Sequence, residues 1–532
     1  MSEAVRSRGA LELAAFAILA VGVLFLAIHD LSILFFPHDL IYGEGFVLRD
    51  AAMLRDGKSP YTPVAALPAV VANYPPVYPA ATAIAMIALG KSFLAGRAVS
   101  ILATVGCAVF VWRIARRAGW RGGAGLASEG GHVAVAKHAS GSTARGALFA
   151  PLLFLADIVI YYWSPYARVD MLALALELAA LDAFHDALVK RGGDEAPARA
   201  PDSRLIRGLA LSVLAVFTRP TAVAAPVALV IAFAFARDVR RAAILGGAFV
   251  VATLVAGFAL NAATSGEFLR HTVAYNANTF RWGELPSLIL DFVTPHAPLF
   301  LGAAAFFVMR GASHPDAEPS ADRSDAGGTL LAAYFVCACA LALLVGKVGS
   351  SANYFLQAVA AAAILFSIAL CRASSDSNAR RLLLLAACAG PLLFATVPFS
   401  RTLELRMNPF PAMGRTPGND DRSAGDEVMA IVRDAGGEVL IEDAGFLVRA
   451  GKRVWASPLQ LAYLEEQGLY EPAPLAAMIR RHEFAAIILS YNFFSESPAL
   501  RAAIGEAYRP ERVIEIPRRY KYIVLRPAAG TG

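Results

Sequence analysis

Charged residues and cysteines are scarce in this chain of 532 residues. Only 17% of the residues are Asp, Glu, Lys or Arg, whereas soluble proteins have about a quarter. The five cysteines all lie in or beside apolar segments: Cys107, Cys337, Cys339, Cys371 and Cys388. The polar C-terminal part therefore lacks a disulfide framework and a zinc pattern of cysteines, and we expect free thiols buried in lipid.

Hydrophobic residues make up 57% of the chain. They are grouped in blocks of at least about 18 residues, which is the length needed to cross a bilayer. The pattern predicts a polytopic α-helical membrane protein. The first block, residues 14–36, is too long for the apolar region of a signal peptide and has no clear cleavage site, so it is interpreted as a membrane helix.

The net charge of +6 comes from basic residues near the ends of apolar blocks. They form no long basic arm, so we predict no nucleic-acid partner and interpret them by the positive-inside rule. This rule predicts about eleven spans, with the N-terminus in the cytoplasm and the C-terminus outside.

Two parts of the chain differ in composition. Residues 1–400 carry the apolar blocks, and residues 401–532 have the composition of a soluble domain. Buried strands are predicted at 438–442, 485–489 and 522–525, with helices at 425–434 and 474–481 between them. The alternation predicts a small extracytoplasmic α/β domain. It has no GxGxxG or Walker motif, so nucleotide binding is unsupported.

The first predicted outer loop, residues 37–77, contains one amphipathic helix. Its apolar face begins at Phe46, its polar face includes Arg49 and Asp50, and Gly57 ends it. We expect Asp50 on the solvated face of this helix.

Ionisable side chains in outer turns are functional-site hypotheses, because unpaired charges at a membrane surface or within it are costly. A carboxylate can accept a proton from an attacking hydroxyl, and cations can hold a phosphate. Arg219 is unusual, since basic residues are rare on the outer side. The candidates are His38, Asp39, Glu44, Asp50, Arg168, Asp170, Arg219, Lys347 and Asn353.

Most of these candidates also have a structural interpretation. Asp170 fits the N-cap of the helix that follows, and Arg168 can pair with it. Arg219 and Lys347 can anchor lipid headgroups. Glu44 can stabilise a helix N-terminus. His38 can simply be interfacial, and the tyrosines near residue 74 suit a scaffold.

Six short motifs give the chain a resemblance to the GT-C membrane glycosyltransferases. More narrowly, it resembles the bacterial branch that is similar to protein O-mannosyltransferases and lipid A aminoarabinose transferases. The motifs are LRDGKSPYTP from residue 54, YPPVYP from 74, SPYARVDMLALAL from 164, FTRPTAVAAP from 217, GKVGSSANYFL from 346 and VLIEDAGFLVRAGKRVWASPLQL from 439.

The resemblance implies a polyprenyl-phosphate-linked sugar as donor and transfer, with inversion, at the extracytoplasmic face of a bacterial inner membrane. The acceptor would be a lipid, a glycan or a protein. Glu44 would be the general base, and Asp170 would orient the substrate or a metal ion. Arg219 and Lys347 would hold the lipid phosphate. The other substrate-binding candidates are Asp39, Tyr42, Arg168, Asn353 and Tyr354.

The chain departs from this pattern at Gly43. Many relatives carry Asp, or Asp followed by Glu, where this chain has Gly43 before a single Glu44, so Asp39 is the alternative acid. A divalent cation is possible, with His38, Asp39 and Glu44 as ligands, and the sequence leaves the metal open. A transporter or lipid flippase is the alternative function, although no internal repeat supports it. A non-enzymatic assembly protein is a third class.

Overall fold

A helical part and a smaller C-terminal domain make up the protein. The computed structural model describes residues 3–124, 145–191, 202–312, 325–373, 377–396, 414–516 and 520–528. The helical part extends to residue 396, and the C-terminal domain begins at residue 414. The predicted boundary near residue 400 lies outside the described residues.

The helices of the helical part follow one another with short connections. In chain order they are α1 (Glu3–Leu34), α2 (Glu44–Arg55), α3 (Val77–Leu89), α4 (Phe93–Ala124), α5 (Arg145–Leu155), α6 (Ile158–Trp163), α7 (Asp170–Arg191), α8 (Ser203–Val216), α9 (Ala224–Phe235), α10 (Val239–Ala263), α11 (Glu267–Thr272), α12 (Leu285–Ala312), α13 (Ala326–Ala342), α14 (Leu356–Arg372) and α15 (Asn378–Thr396). Short 3₁₀ turns lie at Ala274–Asn276, Leu343–Gly346 and Ala352–Phe355.

Six of the described helices are long and apolar enough to cross a membrane, and three shorter ones are also apolar. On α10, Val251, Val255 and Phe258 are each at least 60% exposed. Helices that are apolar on all sides are typical of membrane spans. The predicted membrane protein is thus supported, and the count of about eleven spans stays a prediction.

Helix α14 is the most buried of the long apolar helices. Every residue from 358 to 370 is buried, and the helix packs against α4, α12 and α13. Its stretch of alanines, 358 and 360–363, leaves little side-chain volume between the helices. On α12, a Cβ at Gly302 would overlap the Phe366 ring. Small residues thus permit close helix packing, as in other membrane bundles.

A four-stranded sheet forms the core of the C-terminal domain, in the order β1-β2-β4-β3. The strands are β1 (Glu438–Ile441), β2 (Phe484–Leu489), β3 (Tyr508–Ile516) and β4 (Tyr520–Pro527). The helices are α16 (Asn419–Asp434), α17 (Ala444–Ala450), α18 (Pro458–Glu466), α19 (Ala473–Arg480) and α20 (Pro498–Ala507), with a 3₁₀ turn at Phe493–Glu496. Strands β1 and β2 are parallel, and β4 is antiparallel to both of its neighbours.

The three strands and two helices predicted in this domain are present. Strand β3 is not predicted from the sequence, because it is an edge strand that buries only Tyr508, Ile514 and Ile516. Pro510 also lies in it, next to a shift in register, and proline in sheets is confined to edges and bulges. Its residues therefore do not show the apolar run of a central strand.

Asp39 fixes the C-terminal domain to the first loop, which comprises residues 35–76. Its carboxyl lies against Gly45 of α2 and Gly445 of α17, so closely that a Cβ on either glycine would clash with it. Oδ2 of Asp39 and Oδ1 of Asp443 are buried and lack a hydrogen-bond partner among the described residues. Burial raises the pKa of Asp39 well above its usual range, and the Asp443 carboxyl raises it further.

His38 adds a second contact between the same two parts. Arg449 donates a hydrogen bond to its Nδ1 (3.1 Å), and its Nε2 contacts the Asp426 carboxylate (2.9 Å). The ring stacks on Phe446 of α17 at 5.5 Å between ring centroids. Burial lowers the pKa of His38 to about 4, so the ring is neutral at pH 7.

Asp443→Asn is expected to flatten the dependence of stability on pH. Burial raises the pKa of Asp443 to about 7, whereas the unfolded chain ionises it near 4. The contribution of Asp443 to the stability of the folded protein therefore falls as the pH rises across this window, by up to about 4 kcal/mol. The variant keeps the acceptor for the Ser490 hydroxyl and should melt at a higher temperature than the wild type at pH 8.

Thermal unfolding in lipid nanodiscs between pH 4 and pH 8 measures this effect. Asp420→Asn, at an exposed position on α16, is the matched control and should follow the wild type. A difference in melting temperature between Asp443→Asn and the wild type that is the same at pH 5 and at pH 8 would contradict the prediction.

Candidate functional site

A cavity of about 360 Å³ lies where the helical part meets the C-terminal domain. Its walls come from the first loop with α2, the segment before α7, the turn between α8 and α9, residues 275–288, residues 345–354 and α18. The polar lining residues are Tyr42, Asp50, Asn73, Tyr74, Arg168, Arg219, Tyr275, Asn276, Asn278, Arg281, Glu284, Lys347, Ser350, Ser351, Asn353, Tyr354, Gln460 and Tyr463. Four of them are cations and two are carboxylates, so the lining favours an anionic ligand.

Arg168 is held against the wall by its neighbours. It donates a hydrogen bond from Nη2 to the Tyr74 hydroxyl (2.7 Å) and a longer one from Nη1 to the Tyr42 carbonyl (3.4 Å). The guanidinium also lies over the Tyr74 ring, 5.5 Å from its centroid. The side chain is 14% exposed, so it faces the cavity in a fixed orientation.

Asp170, at the start of α7, connects this arginine to the second one. Its Oδ1 accepts hydrogen bonds from Asn353 Nδ2 (2.8 Å) and contacts Arg219 Nη1 (3.0 Å), and its Oδ2 lies 3.9 Å from Arg168 Nε. Arg219 also lies over the Tyr354 ring at 4.4 Å. One carboxylate thus orients two guanidinium groups.

Lys347 lies on a short backbone pairing between residues 279–281 and 346–348. Arg281 donates a backbone hydrogen bond to Gly346 (2.8 Å), and Val348 donates one to Thr279 (2.9 Å). Among the described residues, the Lys347 ammonium has no ion pair. Its charge is therefore available to a ligand in the cavity.

Glu44 does not line the cavity; it is a fully buried partner of Arg97. Arg97 donates to both carboxylate oxygens, from Nε to Oε1 (2.9 Å) and from Nη2 to Oε2 (2.8 Å). Ala167 and Leu40 donate backbone hydrogen bonds to the same carboxylate, at 2.8 and 3.3 Å. Its predicted role as a general base stays a prediction, and it would require leaving these four bonds.

The predicted site residues thus fall into two groups. Six line the cavity: Tyr42, Arg168, Arg219, Lys347, Asn353 and Tyr354. Asp170 contacts three of these six. Asp39 and Glu44 do not line the cavity: Asp39 packs against α17, and Glu44 is bonded to Arg97.

The proposed metal ligands do not converge. Both ring nitrogens of His38 are occupied by Arg449 and Asp426, and the Glu44 carboxylate is bonded to Arg97. No group of three or more His, Cys, Asp or Glu side chains among the described residues could hold a metal ion. The donor set of His38, Asp39 and Glu44 therefore does not fit a divalent cation.

Sequence reasoning misses Arg97, and it gives Asp50 and Tyr74 surroundings or roles that the structure changes. Arg97 lies at the start of an apolar helix on the predicted outer side, and the rarity of basic residues there could have identified it, as it does for Arg219. Asp50 is expected on a solvated face, but it is buried with 4% exposure and lines the cavity. That expectation is wrong, because this side of α2 faces a cavity that α18 of the C-terminal domain closes on one side. Tyr74 is interpreted as scaffold only, yet it holds Arg168.

Sequence comparisons give no match: no family model and no curated protein is significantly similar to the chain. Solved structures do match. The structure of ArnT from Cupriavidus metallidurans bound to undecaprenyl phosphate aligns with a TM-score of 0.59 at 14% identity, covering 96% of this chain and 97% of ArnT. The apo oligosaccharyltransferase of Archaeoglobus fulgidus aligns with a TM-score of 0.51 at 12% identity, covering 93% of this chain and 73% of that protein.

Both of these proteins have the GT-C fold. The alignments extend over nearly all of this chain, including the C-terminal domain. The chain therefore has the GT-C fold, and the resemblance inferred from its short motifs is confirmed at the level of the fold.

Glu44→Gln is expected to destabilise the protein by roughly 3–5 kcal/mol, because it leaves the buried Arg97 guanidinium without its counter-charge. The matched control is Asp56→Asn at the other end of α2. Asp56 also pairs with a cation, Lys91 at 2.6 Å, but both side chains are more than one third exposed. Thermal unfolding should show a large loss for Glu44→Gln and almost none for Asp56→Asn. Equal melting temperatures for the two variants would contradict the structural role of Glu44.

Proposed function

We propose that the protein is a membrane glycosyltransferase that transfers a sugar from a polyprenyl-phosphate donor to an acceptor at the extracytoplasmic face. The observation that carries the proposal is the convergence of Arg168, Arg219 and Lys347 on one cavity in a GT-C fold. The acceptor is a lipid, a glycan or a protein, and the membrane is the bacterial inner membrane.

The chemistry of the cavity suits the phosphate of such a donor. A guanidinium presents parallel N–H donors that match two phosphate oxygens, and a lysine adds a mobile positive charge. Because Asp170 holds both arginines in place, their donors need little reorganisation when a phosphate binds. The comparison agrees with this assignment: ArnT, which aligns over 97% of its length, was solved with undecaprenyl phosphate bound.

In this reaction the acceptor hydroxyl attacks the anomeric carbon while the bond from that carbon to the phosphate oxygen breaks. The polyprenyl phosphate leaves with the electron pair, and the cations of the cavity stabilise the negative charge that develops on it. A carboxylate accepts the hydroxyl proton. Single displacement inverts the configuration at the anomeric carbon.

The acceptor is proposed to approach from the side of the C-terminal domain. Leu459, Gln460 and Tyr463 of α18 form that wall of the cavity. Tyr42 connects the wall to α2, because its hydroxyl donates to Gln460 Oε1 at 3.0 Å. A movement of the domain would therefore change the width of the acceptor side.

Lys347→Ala tests the proposal in purified protein in nanodiscs. Release of polyprenyl phosphate from a panel of polyprenyl-phosphate sugars and acceptors is followed, together with the dissociation constant for undecaprenyl phosphate. Because Lys347 has no ion pair among the described residues, its removal orphans no partner there. Losing one charged hydrogen bond should weaken phosphate binding about 10- to 100-fold.

Lys58→Ala is the matched control, since Lys58 is an exposed lysine of the first loop that does not line the cavity. It should bind and release phosphate as the wild type does. If the wild type releases polyprenyl phosphate from no donor, or moves the intact lipid-linked sugar across the bilayer, the transferase is contradicted and the transporter is favoured.

Gly43→Ala is expected to weaken binding of undecaprenyl phosphate about 10-fold or more. Gly43 has a φ of 104°, and a Cβ there would overlap the Arg168 guanidinium, so the substitution displaces this arginine from Tyr74. The control is Gly57→Ala, where φ is 71° and the space around the Cβ is open. Both variants carry backbone strain, but only Gly43→Ala should change the dissociation constant. A similar loss of binding in both would exclude Arg168 as the cause.

A further inference from the structure

The orientation of α2 decides which first-loop carboxylate can reach a ligand. Gly43, Phe46, Val47 and Asp50 line the cavity. Their spacing of three, four and seven residues places them on one face of the helix. Asp50 is the acidic residue of this face, whereas Glu44 lies on another face and is bonded to Arg97.

We propose that Asp50, and not Glu44, is the carboxylate that removes the proton from the acceptor hydroxyl. The assignment rests on the proposed transferase function. It goes beyond the sequence motif, because the motif directs attention to residues 43 and 44, and neither of them presents a carboxylate to the cavity.

One carboxylate oxygen of Asp50 is hydrogen-bonded to a described residue, and the other is not. Arg49 donates a hydrogen bond from Nη1 to its Oδ1 (2.8 Å), and the same nitrogen donates to the Pro60 carbonyl (3.2 Å). No described residue donates a hydrogen bond to Oδ2. One oxygen thus fixes the carboxylate, and the other is available to a hydroxyl in the cavity.

The surroundings of Asp50 suit a base at neutral pH. Burial raises its pKa to about 6, with Arg49 opposing the rise. The Tyr61 hydroxyl, in the first loop, is a titratable group close enough to be affected by the Asp50 charge. A base whose pKa lies near the working pH combines a large ionised fraction with useful basicity.

Two other carboxylates near the cavity are less suitable. Glu284 lines it, but its side chain is 57% exposed and pairs with Arg281 at 3.2 Å. Asp170 does not line it, and its Oδ1 is occupied by Asn353 and Arg219. Glu284 lacks the dry surroundings that Asp50 has, and Asp170 is committed to the arginines.

The proton balance of the step is simple. The acceptor oxygen forms its bond to the anomeric carbon, and its proton passes to Oδ2 of Asp50. The bond between that carbon and the phosphate oxygen breaks, and the phosphate leaves with the electron pair beside Arg168 and Arg219. The neutral Asp50 then loses its proton to water as the product departs.

Asp50→Asn tests the assignment, because it keeps the shape and the acceptor for Arg49 but removes the basicity. We expect kcat for polyprenyl-phosphate release to fall about 10²- to 10⁴-fold, with the dissociation constant for undecaprenyl phosphate unchanged. The wild type should show a rise in kcat as the pH passes about 6, and the variant should lack it. Asp50→Glu should keep the rise at a lower kcat.

Two controls separate this role from a structural one. Asp56→Asn, at an exposed position after α2, should keep both kcat and the pH profile. Glu44→Gln, assayed below its melting temperature, should keep the rise near pH 6 even where kcat is lower.

The assignment is overturned if Asp50→Asn keeps the wild-type kcat, or if Glu44→Gln alone abolishes the rise near pH 6. If the Asp50→Asn variant does not fold, Asp50→Glu is the test. Loss of the rise in kcat near pH 6 in Asp50→Glu would then overturn the assignment. If the wild type itself releases no polyprenyl phosphate, the proposed function fails and this assignment fails with it. If the wild type releases polyprenyl phosphate and Asp50→Asn keeps the same kcat, only the assignment fails.

Discussion

The buried ion pair between Arg97 and Glu44 connects four parts of the chain. Besides Glu44, the Arg97 guanidinium donates hydrogen bonds to the carbonyls of Ile33, Phe36 and His38. The Glu44 carboxylate in turn accepts the backbone N–H of Ala167. The pair therefore joins the end of α1, the first loop, the start of α2 and the segment before α7 to α4, the helix that carries Arg97. Burying either charge alone in a low-dielectric interior would cost several kcal/mol in desolvation free energy. The ion pair and its many hydrogen bonds offset this cost.

This pair determines what the first loop presents on each side. With Glu44 turned toward Arg97, a different face of α2 lines the cavity, and Asp39 faces α17 of the C-terminal domain. Gly43 leaves room for the Arg168 guanidinium. The Glu44 carboxylate, which resembles a catalytic acid in the sequence, thus has a structural effect. It orients the helix that carries Asp50 and supports the segment that carries Arg168.

The fold was more predictable from the sequence than the site. Apolar blocks and strand patterns identify the long apolar helices and three of the four described strands, because burial in lipid or in a sheet core restricts residue type along a continuous segment. Arg168, Arg219, Lys347 and Asn353 are candidates from the sequence because polar residues are rare in the turns of such a protein, and in the structure they line one cavity. The partner of Glu44 could not be predicted, since Arg97 is 53 residues away and only tertiary packing brings them together. Asp50 was placed on the wrong side because the periodicity of a helix cannot tell a solvated face from one covered by another domain.

The central claim is that the phosphate of a polyprenyl-phosphate donor binds in the cavity between the helical part and the C-terminal domain. The most direct measurement is a cryo-electron microscopy structure of the protein in nanodiscs with undecaprenyl phosphate. We expect phosphate density within hydrogen-bonding distance of Arg168, Arg219 or Lys347, with Asp50 facing the same cavity. Phosphate density at a different place, for example beside Arg113 and Arg117 near the opposite end of α4, would contradict it.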